Sequence, residues 1–231
     1  RENGSQEAFQ HVRSTVLPDV YQQFEEIAAF APEISYFKGE DATGKPTHLF
    51  LHQVEAIKTL MDDAGGILAD EPGTGKTLEL ALAALNLLDK KEVQNERPGR
   101  ILVVGGKTTI DNWENELGIH IDTKDIQIAN INFTGKVNAS LAKRVAKIEA
   151  MMRSPQSTKQ IILVNYDSFR NRQFQRMLAD YPADVVIVDE THNVKSRRMS
   201  ALTPEEPAES SGNTVARRVR SLYSYIRENP E

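Results

Sequence analysis

The residues with the clearest chemistry are Gly73, Gly75, Lys76 and Thr77, inside the run Gly65-Gly66-Ile67-Leu68-Ala69-Asp70-Glu71-Pro72-Gly73-Thr74-Gly75-Lys76-Thr77. Glycines on either side of Thr74 remove two side chains, so backbone N–H groups are able to turn toward a polyphosphate. Lys76 is then placed to reach β- and γ-phosphates, and the Thr77 hydroxyl to ligate Mg²⁺. Asp70 stands where the strict form of this pattern has glycine. A second group lies far downstream, where Asp184-Val185-Val186-Ile187-Val188 runs into Asp189-Glu190. Asp189 is expected to hold Mg²⁺, directly or through water, and Glu190 to orient and deprotonate an attacking water. Each motif has a plain alternative: a glycine-rich turn before a helix, and a strand followed by a charged loop. Together and in this order they point to a fold that handles ATP.

These residues need elements to position them. The apolar residues before the cradle read as a short strand. Leu78 to Leu88, rich in Leu and Ala, reads as a buried helix whose positive N-terminal end faces the anion. The Val/Ile run before Asp189 has the look of a central parallel strand covered on both faces. Carboxylates at its end then fall in the crevice where open α/β sheets bind ligands. Further strands are expected at Arg100–Gly105, around Ile126–Phe133 and at Gln160–Asn165. Helices are expected at residues 5–31, with Pro18 breaking or starting one, and at His52–Asp62, Asp111–Leu117, Asn138–Met152, near Phe169–Leu178 and at Arg217–Arg227. Strands alternating with helices give an α/β fold with a mostly parallel sheet and helices on both faces. Gly39 to Pro46 reads as a linker, and 199–214, rich in Pro, Glu and Ser, as a mobile loop.

Bulk properties narrow the classes. The 231 residues fit one domain or a fragment of a longer chain, and 39% hydrophobic content is lean but sufficient for one core. No apolar stretch approaches a membrane span, and the N-terminus lacks a signal-peptide layout. With no cysteine, disulfides and thiolate metal sites are excluded. The five histidines show no paired metal spacing. A net charge of −5 argues against nucleic-acid binding driven by bulk electrostatics. Any DNA grip would come from local patches such as Arg197-Arg198 and Arg217-Arg218-Val219-Arg220, which read equally well as solvated faces.

The order of motifs resembles the N-terminal motor lobe of the Swi/Snf-type DNA-dependent ATPases, within the superfamily 2 helicases. Leu51-His52-Gln53-Val54-Glu55-Ala56-Ile57 looks like the family's adenine-reading glutamine segment, with His for the usual Tyr and Ala for the usual Gly. The cradle is similar to the family's phosphate loop, which also carries Asp where Asp70 stands; Pro72 and Thr74 replace the usual Met and Leu. Ile101 to Leu117, with Trp113, resembles the strand–loop–Trp segment, although Gly106 sits where proline is typical. Trp113 read alone is a core-packing residue. Ile161 to Asp167 looks like the strand whose end approaches DNA. Asp189 to Ser196 is similar to the acidic box, with Thr191 for Ala.

The resemblance covers roughly Leu49 to Ser196 and implies a RecA-like P-loop lobe, the first of two, over 48–231, preceded by a helical extension and linker over 1–47. It implies ATP and Mg²⁺ as cofactors and duplex DNA as partner, with chromatin or protein partners and a nuclear location. Nucleotide contacts are expected from Gln53, Asp70, Glu71, Gly73, Thr74, Gly75, Lys76 and Thr77, metal contacts from Thr77 and Asp189, and catalysis from Glu190 and Lys76. The chain ends at Glu231, before the motif expected to follow the acidic box and before the arginine-bearing second lobe. The fragment alone is therefore expected to turn ATP over barely or not at all. Three alternatives stay open: a non-hydrolysing binding platform, a DEAD/DEAH-type RNA helicase lobe, and a ring-forming AAA-type ATPase. The last generally places its acidic pair much closer to the lysine.

Overall fold

The computed structural model describes residues 18–90, 98–131, 141–153, 159–166 and 172–190. The expected loop at 199–214, the helix at 217–227, the tail of the acidic box from Thr191 and the start of the N-terminal helix lie outside these residues. The chain divides into two compact units, one running to Leu87 and the other from Leu88.

The first unit is helical. Helix α1 spans Pro18–Phe30, with proline at its first position, where a missing N–H costs nothing. Ile27 and Phe30 are buried, and a 3₁₀ turn over Ala31–Glu33 follows. The segment Gly39–Pro46, read from the sequence as a linker, forms a closed loop. Glu40 bridges Pro46, and the Asp41 carboxylate accepts from the Thr43 and Lys45 N–H groups. Asparagine and aspartate side chains that mimic backbone in this way stabilise turns, a signal that composition alone does not distinguish from a flexible linker. Helix α2, Leu51–Asp62, packs on α1 and buries Val54, Ile57, Leu60 and Met61 at helical spacing. Helix α3, Lys76–Lys90, starts inside the cradle motif and is buried from Ala81 to Leu88. Asn86 of α3 exchanges hydrogen bonds with the Ser35 backbone, at 2.9 Å and 3.2 Å.

The expected strand before the cradle does not form. Gly65 to Asp70 carry no regular structure, and Ile67 is 94% exposed. Only Ile67, Leu68 and Ala69 are apolar here, and the two glycines ahead of them lose much entropy on becoming extended.

The second unit is a four-stranded parallel sheet in the order β2-β3-β1-β4 with helices on both faces: an α/β fold, consistent with a RecA-like lobe. The strands are β1 Gly99–Gly105, β2 Ile126–Asn130, β3 Lys159–Asn165 and β4 Val185–Val188. Helix α4 is Lys107–His120, α5 is Leu141–Arg153 and α6 is Arg172–Asp180. Alternation along each strand sorts the core into two layers. Leu102, Val104, Ile162 and Val164 meet Val145, Ile148 and Met152 of α5 and Phe174, Met177 and Leu178 of α6. On the opposite face α4, with Ile110, Trp113 and Leu117 buried, packs against β1, β2 and β3.

β1 is buried throughout, whereas β4 ends the sheet among the described residues, with Val185, Val186 and Val188 only half-buried. An unbroken Val/Ile run had the look of a central strand. The central place belongs to β1, whose register pairs Val104 with both Val164 and Val188. Polar groups join the strands at their N-terminal ends. Asp184 accepts from the Arg100 N–H at 2.7 Å, Arg100 Nε donates to Gln160 at 3.0 Å, and Gln160 Nε2 donates to Gln127 and to the Met151 carbonyl. A one-residue slip of any strand would strand these buried groups without partners, so the network fixes register. That register determines what meets at the other end of the sheet.

Candidate nucleotide site

In the first unit the cradle is a turn stabilised from within. Gly73 and Gly75 adopt φ of +87° and +97°, a region where an L side chain is strained. Gly75 is doubly constrained, because a Cβ there would lie 2.3 Å from Gln53 Nε2. Thr74 Oγ1 donates to the Glu71 carbonyl at 3.0 Å. Lys76 Nζ donates to the carbonyls of Asp70 at 2.8 Å and Glu71 at 2.6 Å. The ammonium thus lies across the turn at the N-terminus of α3, where helix N–H groups favour an anion. Thr77 occupies the first turn of α3, one residue after the lysine.

Gln53 sits at the start of α2 and is 6% exposed. Its Oε1 accepts from the Phe50 N–H at 3.0 Å, and its Nε2 donates to the Thr74 carbonyl at 3.0 Å. The glutamine expected to read a base therefore also braces the cradle backbone. Beside it, His52 Nε2 lies 3.3 Å from the same carbonyl. A cleft of about 670 Å³, lined by His52, Thr59, Asp63, Ile67, Asp70 and Thr74 among others, opens alongside.

Glu79 was not singled out in the sequence. It lies one helical turn beyond Lys76, is fully buried, and among the described residues neither of its oxygens has a hydrogen-bond partner. Burial pushes its carboxyl above the usual range and Asp70 adds to this, with His52 and Lys76 opposing. The His52 ring nitrogen is 4.0 Å away. The only sequence signal for it was a glutamate among the Leu and Ala of a helix expected to be buried.

In the second unit, Asp189 and Glu190 follow β4 at the carboxyl ends of the parallel strands. The Asp189 N–H extends the ladder to the Val104 carbonyl at 2.8 Å. One carboxylate oxygen of Asp189 accepts from the Trp113 indole N–H at 2.7 Å, the other from the Glu190 N–H at 2.7 Å. Tyr166 O–H donates to the Asp189 carbonyl. Glu190 is exposed, with φ of +55°, so the chain leaves the strand direction there. Trp113, expected only to pack the core, is 1% exposed and also contacts a site carboxylate.

A carboxylate oxygen offers about two lone pairs, so each Asp189 oxygen keeps acceptor capacity for a metal or its water. No cluster of three or more His, Cys, Asp or Glu able to hold a metal occurs among the described residues.

Residues 15–205 match the family model described as the SNF2-related domain. The chain belongs to the SNF2-related domain family. Curated relatives agree at modest identity. The chain is 24% identical over 153 residues to a "DNA repair and recombination protein RAD54-like" of Drosophila ananassae, covering 63% of this chain and 18% of that protein. It is 29% identical over 150 residues to "Probable ATP-dependent DNA helicase CHR12" of Arabidopsis thaliana, covering 63% and 12%. It is 28% identical over 163 residues to "Zorya protein ZorD" of Escherichia coli, covering 63% and 14%. The chain spans less than a fifth of the length of these relatives.

Proposed function

We propose that this chain supplies the ATP-binding lobe of a DNA-dependent ATPase, a motor that couples hydrolysis to translocation on duplex DNA or to chromatin remodelling. The observation that carries the reading is the cradle: two glycines at positive φ, with the Lys76 ammonium held over the turn at a helix N-terminus. Membership of the SNF2-related family supports it, as do relatives whose names include DNA repair and ATP-dependent DNA helicase.

In this reading Gln53 serves the adenine, and Asp70, Glu71, Gly73, Thr74 and Gly75 form the loop around the phosphates. Lys76 neutralises phosphate charge. Thr77 and Asp189 hold Mg²⁺, whose bound form would supply charge neutralisation at the transferred phosphoryl group. Glu190 orients and deprotonates the attacking water. The lobe over 48–231 works with a second lobe whose arginines stabilise transition-state charge, a contribution of about 10³–10⁵ in rate. Alone, the chain then binds nucleotide weakly and shows almost no turnover. Relatives named for DNA repair in Drosophila ananassae and Oryza sativa support a nuclear location, and similarity to an Escherichia coli protein supports a bacterial setting equally.

In the full-length parent, Glu190→Gln is expected to abolish ATP turnover while leaving ATP binding intact. Loss of binding as well would show Glu190 to be structural and refute its assignment. One observation favours a second reading, a non-hydrolysing platform: Lys76 already makes two hydrogen bonds to its own loop. Titration of Mg·ATP against the chain separates the two, since no binding at millimolar ATP would favour the platform.

A further inference from the structure

The Asp189 carboxylate is oriented by a side chain far from it in sequence. Trp113 Nε1–H reaches Asp189 Oδ2 at 2.7 Å from a ring that is 1% exposed, on a helix packed against three strands. Indole is a donor only and does not titrate, so this bond always leaves the carboxylate an acceptor. The opposite oxygen is engaged by the Glu190 N–H and the carbonyl by Tyr166 O–H, so backbone and carboxylate are held together. Burial of an aromatic ring requires no such aim. A phenylalanine would keep an aromatic ring in the core and leave Oδ2 without this donor.

We propose that Trp113 is a positioning residue for Mg²⁺: its N–H presets the Asp189 carboxylate in the orientation that the ion uses. This rests on the reading of Asp189 as a metal ligand. Hydrogen bonds to metal-ligating groups are typically worth about 10- to 100-fold in metal affinity, and one bond of three belongs at the lower end.

Trp113 is the only tryptophan in the chain, so a ¹⁵N-labelled sample has a single indole N–H resonance. In the chain as it stands, that resonance is expected to shift on Asp189→Asn, with no metal present, and on adding MgCl₂ with ADP to the wild type. Trp113→Phe is expected to need about 10-fold more Mg²⁺ to support binding of a fluorescent ADP analogue. Its metal-free affinity for that analogue and its far-UV circular dichroism should match the wild type. A wild-type Mg²⁺ requirement in Trp113→Phe, or an indole resonance indifferent to Asp189→Asn, overturns the proposal. Should Trp113→Phe fail to fold, the wild-type resonance decides, and its indifference to MgCl₂ with ADP counts against the proposal. Wild-type nucleotide binding that ignores Mg²⁺ would sink the metal reading of Asp189, and this inference with it.

Discussion

Replacing Glu79 by glutamine should stabilise this protein, and most strongly at alkaline pH. The carboxylate is fully buried, and among the described residues neither of its oxygens has a hydrogen-bond partner. Two groups oppose this burial cost, the His52 ring, 4.0 Å away and 52% exposed, and the Lys76 ammonium. As pH rises, more of this buried group is ionised and the burial cost grows with it.

An unsatisfied buried charged group costs about 1–3 kcal/mol or more. Glutamine keeps the volume and removes the charge but leaves an amide to be satisfied, so the expected gain is about 1–2 kcal/mol. For a chain of this size that is a rise in Tm of roughly 2–8 °C.

The pH dependence has a definite sign. A carboxyl raised above its ordinary 4.5 in the folded chain binds protons that the unfolded chain has already lost. Its contribution is therefore most favourable below that value and declines as pH rises through the folded-state pKa. Thermal melts of the wild type and Glu79→Gln at pH 5 and pH 8 test this. The variant should lose less stability across the interval and melt higher at pH 8. A variant that melts lower at pH 8, or keeps the full wild-type decline, would refute the claim that this carboxyl is strained.

Three further perturbations test other parts of the structure. Gly75→Ala forces an L residue to φ +97° against Gln53. It should cost about 1–2 kcal/mol in urea unfolding, together with loss of nucleotide affinity in a fluorescent-ATP titration. Lys76→Ala removes two exposed hydrogen bonds and a favourable charge opposite Glu79, so stability should fall by no more than about 1 kcal/mol. Nucleotide affinity should fall about 10- to 150-fold, the worth of a charge-assisted contact of 1.5–3 kcal/mol; unchanged affinity would exclude Lys76 from phosphate binding. Gln160→Leu leaves the Arg100 Nε–H, the Gln127 amide and the Met151 carbonyl without this partner. It should cost at least about 2 kcal/mol, read from the urea midpoint.

Much of this was legible in the residues. Gly73 and Gly75 announce a turn at positive φ because glycine alone tolerates that backbone, and the demand lies within a few residues. The apolar runs at Arg100–Gly105 and Gln160–Asn165 became strands within a residue of their expected limits, since β-branched residues suit an extended, buried backbone. Where a local signal was too weak, the reading failed. Three apolar residues after two glycines did not make a strand, and the Val/Ile run of β4 carried no information about its place in the sheet.

What no local pattern contained is partnership. Trp113 and Asp189 lie 76 positions apart, and their hydrogen bond exists because β4 pairs beside β1 with α4 folded over the face near Gly105. Arg100 meets Gln160 by the same parallel register. The buried state of Glu79, and the bracing of the Thr74 carbonyl by Gln53, likewise come from packing. Residue types and short spacings are properties of a chain in any conformation. A donor's proximity to one particular acceptor is a property of the folded state, created when burial and strand register bring distant segments into a single arrangement.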